Sequence, residues 1–100
     1  MSAGFVAILT VELHFPEAGS LKAKRRFVRK AKDTLEGRFR AAVAEVDHHD
    51  LWQRATLTAA CVARDATSAR ELAAAAERWL AANEWMLVRA ETTVVDPEER

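Results

Sequence analysis

The chain has 100 residues, half of them hydrophobic, with 15 basic and 15 acidic side chains, so its formal net charge is zero. This length gives one core rather than two, and no apolar run approaches the roughly 18 residues of a membrane span. The single cysteine, Cys61, rules out an internal disulfide framework and a Cys-rich zinc site. Met1 to Gly4 lack a basic leader region, and the expectation is a cytoplasmic protein.

Of the 50 hydrophobic residues 21 are alanine, which leaves 29 larger side chains to supply most of the buried area. A core this thin favours a homodimer that buries more. The zero net charge hides an asymmetry: residues 1–40 carry nine Lys or Arg against four Asp or Glu, about +5, and residues 41–100 carry six against eleven, about −5.

Phe5 to Phe15 alternates, with Phe5, Ala7, Leu9, Val11, Leu13 and Phe15 on one side and Val6, Ile8, Thr10, Glu12 and His14 on the other, as in a long strand. Pro16 to Gly19 breaks it. Ser20 then serves as N-cap for a helix whose apolar positions Leu21, Phe27, Val28, Ala31 and Leu35 keep near 3.6 spacing, with Gly37 as its end. A second strand spans Ala41 to Asp47, with Ala42, Ala44 and Val46 opposed to Val43, Glu45 and Asp47; a loop over 48–54 leads to a third from about Ala55 to Ala63. Ser68 and Glu71 have the spacing of a capping box ahead of an Ala-rich helix that ends near Asn83 and turns Leu72, Ala76, Trp79 and Leu80 inward. Trp85 to Val95 is the last strand.

The order strand, helix, strand, strand, helix, strand is that of an α+β, ferredoxin-like βαββαβ domain: a four-stranded antiparallel sheet with two helices on one face. One domain covers residues 1–95, and 96–100 read as a frayed acidic tail.

Three stretches, VELHFP at 11–16, SLKAKRR at 20–26 and VAEVDHHDLWQRA at 43–55, resemble the YlxP-like family of uncharacterised bacterial proteins, a domain of unknown function. The likeness in layout covers nearly the whole chain. It implies the ferredoxin-like fold and genes often close to those of translation-initiation and ribosome-maturation factors, with no defined site. Ala23, His49 and Glu17 depart from the residues common in that family.

From Lys22 to Lys32 seven of eleven residues are basic. Such a helix can follow phosphates by charge alone, although exposed charge is also the ordinary state of these residues. The outward positions Val6, Ile8, Thr58 and Ala60 offer no aromatic ring for base stacking, which disfavours an RNA-recognition sheet. An uncovered apolar sheet face instead marks an interface, here one for sheet-to-sheet dimerisation. Glu12, His14, Glu45 and Asp47 are expected to point outward together, with His48, His49 and Asp50 near, as a polar cluster of unassigned role. A metal or acid/base site built from it needs a second subunit, because the edge strand lies about 10 Å from strand one. Asp47 to Asp50 suit a tight loop with Leu51 and Trp52 folded back onto the core.

Cys61 has no nearby cation in sequence to activate it, and no phosphate loop, nucleophile elbow or HExxH pair occurs. The reading leans away from an enzyme: no catalytic residue, metal or cofactor is assigned. The favoured function is an interaction module, dimeric through its sheet and not membrane-bound, that meets ribosomal RNA or a ribosomal subunit. Lys22, Lys24, Arg25, Arg26 and Arg29 neutralise phosphates in that reading, and Trp52, Gln53 and Arg54 add shape or base contacts. The rival readings are a protein-only dimeric assembly domain and the dimer-interface metal or acid/base site.

Overall fold

Alternation of apolar and polar residues makes β1, Phe5–His14, a strand with Ala7, Leu9, Val11 and Leu13 buried and the intervening residues turned away from the core. The computed structural model describes residues 3–98. After β1 come α1 (Leu21–Arg38), β2 (Ala42–Asp47), β3 (Arg54–Ala63), α2 (Ala66–Ala81) and β4 (Met86–Val95). The sheet has the order β2-β3-β1-β4 and every neighbouring pair is antiparallel. Both helices pack on one of its faces, giving the ferredoxin-like α+β arrangement.

The core lies between sheet and helices. Leu9, Leu13, Phe15, Leu35, Leu57 and Leu80 are its largest fully buried side chains. Along the helix side runs a ladder of rings: Phe27 stacks on Phe15 at 5.5 Å, Phe15 meets Trp85 edge-on at 6.1 Å, and Trp85 meets Trp79 at 5.6 Å. Among the described residues no helix is long and apolar enough to cross a membrane.

Ser20 caps α1 as expected, its hydroxyl accepting the Ala23 N–H at 3.1 Å. Two helix boundaries differ from expectation. Gly37 stays helical and α1 continues to Arg38; the left-handed residue beyond it is Arg40, at φ 55°. The N-cap of α2 is Asp65, three residues before Ser68, and Asp65 Oδ1 accepts the Ser68 N–H at 2.7 Å. Asp65 satisfies the free first-turn donors with a charged acceptor that also suits the helix dipole, so Ser68 falls inside the helix. Of the acidic tail, Glu98 donates its N–H to Asp96 and accepts from the Ala3 N–H at 2.6 Å; Glu99 and Arg100 lie outside the described residues.

Candidate nucleic-acid interface

Antiparallel pairing of β1 with β3 sets His14 opposite Arg54, so the end of β1, the start of α1 and the β2–β3 loop gather at one end of the molecule. The loop is held from both sides. Phe15 N–H donates to the Gln53 carbonyl at 2.8 Å, and Gln53 Nε2 reaches the Pro16 and Ala18 carbonyls at 3.4 Å each. On the helix side Lys24 is 2% exposed, and its ammonium donates to the His48 carbonyl at 2.5 Å and stands 3.0 Å from Glu45 Oε2. His48 takes the left-handed conformation, φ 64°, with its N–H on Asp47 Oδ1 at 2.8 Å.

This latch corrects three expectations. Lys24 is buried and fully engaged, so it holds the loop instead of facing phosphates. Its position follows from spacing: Lys24, Val28, Ala31 and Leu35 form the buried stripe of α1, and the long aliphatic stem carries the charge from that stripe to the loop. Glu45 pairs in register with the inward residue Leu57, so it faces α1 and leaves the outward polar cluster; a bulge after it turns Asp47 outward. Leu51 and Trp52 do not fold back onto the core but stand 44% and 53% exposed.

The other sites fall as follows. Lys22, Arg25, Arg26 and Arg29 are exposed along α1, and among the described residues none has a carboxylate within ion-pair distance. Lys30 is turned the other way, to Glu84 at 3.3 Å and over the Trp85 ring. A cleft of about 380 Å³ separates α1 from the β2 edge and is lined by charge of both signs, Arg25, Arg29, Lys32 and His49 with Asp33, Glu36 and Glu45. A second, of about 460 Å³, is lined by Trp52 with His14, Asp50, Leu51, Gln53 and Arg54.

Arg54 bonds Glu12 on the outer face of the sheet, which draws its guanidinium toward the strands. That hydrogen bond, with the charges of Arg54, His48 and Arg89, holds the Glu12 carboxyl below its usual pKa. His48 Nε2 is 3.6 Å from Glu12 Oε1 and 3.9 Å from Asp47 Oδ2. His14 and Asp50 border the Trp52 cleft. With Glu45 on the opposite face, Glu12, His14, Glu45 and Asp47 do not converge, and among the described residues no three His, Cys, Asp or Glu side chains are grouped to hold a metal ion. Cys61 is buried, which pushes its thiol pKa up.

α1 has no acidic residue in its first turn. The sequence instead puts Lys22 and Lys24 there, with Arg25 and Arg26 next, where the positive end of the helix dipole already disfavours cations. The arrangement costs helix stability in the first turn and concentrates positive potential along the first half of α1. Sequence reasoning missed Arg89 and Glu91, which join Glu12 on the outer face through the β1–β4 register; neither has a sequence neighbour that signals it.

Compared with known proteins, residues 6–93 match the family described as protein of unknown function (DUF503). No curated protein matches the chain.

Proposed function

This chain belongs to the DUF503 family, and we propose that it is a non-enzymatic module that binds RNA or a ribonucleoprotein surface through α1 and the β2–β3 loop. The observation that carries the reading is the exposed cationic stripe Lys22, Arg25, Arg26 and Arg29 along the first half of α1, which among the described residues has no carboxylate within ion-pair distance. Like charges gathered on one helix face are explained by an anionic partner, which relieves their mutual repulsion when it binds. The likeness to YlxP-like proteins, whose genes often neighbour translation factors, points the same way.

In this reading the stripe neutralises phosphates, and Trp52 stacks on an unpaired base or packs on a ribose. Lys24 and Gln53 act indirectly, by fixing the loop that presents Trp52. Arg54 is shared with Glu12 and contributes through its face toward the cleft. Four phosphate contacts predict a slope of log K against log salt near −3, at about −0.7 per phosphate on single strands.

The test is co-sedimentation with ribosomal subunits, alongside fluorescence anisotropy on a structured ribosomal RNA fragment, for the intact chain and for a variant changing Lys22, Arg25, Arg26 and Arg29 to glutamate. Binding at moderate salt that is lost in the variant supports the reading. An intact chain that binds neither particle nor RNA overturns it.

A further inference from the structure

The sheet face turned away from the helices carries a pattern that the RNA reading does not use. Followed across β2, β3, β1 and β4, its residues form rows set by the register. The first is Val62, Val6 and Val95, and the next is Ala42, Ala60, Ile8 and Thr93. Then come Ala44, Thr58, Thr10 and Glu91, and after them Asp47, Thr56, Glu12 and Arg89. One end of the face is thus apolar, with Val62 67% and Val95 38% exposed, and the loop end is mixed, with Glu12, His14, Arg54 and Arg89 beside Met86 and Val88, 56% and 59% exposed.

We propose that this face packs on the same face of a second copy of the chain, about a two-fold axis that runs along the strands. Such an axis keeps each row at its own level and reverses its order, so every row must complement its own reversal. These rows do. Val62 lies over Val6 of the second copy, and Ala60 over Ile8, small against large. Thr58 lies over Thr10, small polar groups whose hydroxyls are already paired within each sheet at 3.0 Å. In the fourth row Asp47 meets Arg89, and the Thr56 hydroxyl meets the Glu12 carboxylate.

A two-fold axis across the strands would set the valine row on the level of His14 and Arg54, desolvating charge against apolar groups. The chosen axis avoids that and matches aligned sheet packing, with strands within about 30° of one another. The face is also large enough. Three strands of ten residues and one of six, at about 4.8 Å between strands and about 3.3 Å per residue, give a footprint of roughly 570 Å² before side-chain relief, toward the ~800 Å² per partner of a standard interface. The apolar rows exclude water and the charged row fixes orientation. The α1 stripe lies on the far layer, so a dimer displays two basic surfaces.

The experiment is sedimentation velocity of the full chain over a micromolar concentration series, with circular dichroism as the control for folding. The wild type is expected as a dimer of the 11.1 kDa chain. Val62→Glu, at a site already exposed in the monomer, should weaken dimerisation by about tenfold or more, the effect of an unpaired charge desolvated against the apolar Val6 of the second copy. Asp47→Arg and Arg89→Asp should each weaken it, by setting like charges face to face, and the double variant should recover the wild-type affinity. A wild type that stays monomeric throughout, or a dimer indifferent to Val62→Glu, overturns the interface. Failure of the double variant to recover overturns the axis. A Val62→Glu protein that loses RNA affinity while its oligomeric state is unchanged overturns the proposal by assigning the face to RNA.

Discussion

α1 and α2 differ less in length, 18 residues against 16, than in what they turn toward the sheet. The buried positions of α2 are Ala69, Ala73, Ala76 and Leu80, and these small side chains bring its backbone close over β1, β3 and β4. α1 has β2 as its main sheet neighbour, and its buried stripe includes the charge of Lys24. The exposed face of α2, with Arg70, Glu71, Ala74 and Arg78, mixes charge of both signs with alanine and shows no stripe of one sign. α1 gives up part of its burial to carry an exposed cationic stripe and to latch the loop beside it. One helix mainly holds the fold; the other mainly displays a surface, and Lys24 is where its two roles meet.

Lys24→Ala tests that exception and carries the largest expected effect on stability. It leaves the Glu45 carboxylate without its cation and the His48 carbonyl without its ammonium donor. Because Glu45 keeps 22% side-chain exposure, the loss falls toward the low end of a broken buried pair, about 2–4 kcal/mol. A urea midpoint shift reads it, together with faster hydrogen exchange at Leu51. A Lys24→Ala protein as stable as the wild type would make α1 a purely displayed helix with no part in holding the loop.

Next in size is overpacking of α2. Ala73→Leu inserts three carbons at a fully buried site and should cost about 1–3 kcal/mol, whereas Arg29→Leu on the open face of α1 should stay within about 0.5 kcal/mol. Equal effects in denaturation would break the comparison between the helices.

The fold was legible because local signals and topology agree. The alternation of β1 gave its buried face residue by residue, and Ser20 marked the start of α1. Helix ends were less legible where two candidates compete: Ser68 with Glu71 has cap spacing, but Asp65 offers a stronger acceptor one turn earlier. At the candidate site, the basic stripe could be read from composition. The fate of Lys24 was written in its spacing with Val28, Ala31 and Leu35, and its charge masked that signal. Glu45 and Trp52 were not legible. The outward turn of Asp47 depends on a bulge, and the exposure of Trp52 on hydrogen bonds from Lys24 and Gln53 that join segments distant in sequence.

The smallest contrast lies in the two N-caps, which differ in whether they titrate. Ser20 caps α1 with a hydroxyl, and Ser20→Ala should cost about 1 kcal/mol at any pH. Asp65 caps α2 with a carboxylate whose pKa is lowered, first by the Ser68 backbone N–H, then by the Ser68 side chain, with Arg64 and the Thr67 N–H adding. A lowered folded pKa means that the stabilisation is complete above the ordinary aspartate value, near 4, and is lost as pH falls through the folded value. Asp65→Ser keeps a capping oxygen without the charge. The difference in melting temperature between wild type and this variant should therefore be constant from pH 7 to about 5 and shrink below about 4. Glu12, held low by Arg54, destabilises both proteins in the same acid range and cancels in that difference. A difference independent of pH would mean that the Asp65 charge adds nothing to its hydrogen bonds, and that both helices start on equivalent caps.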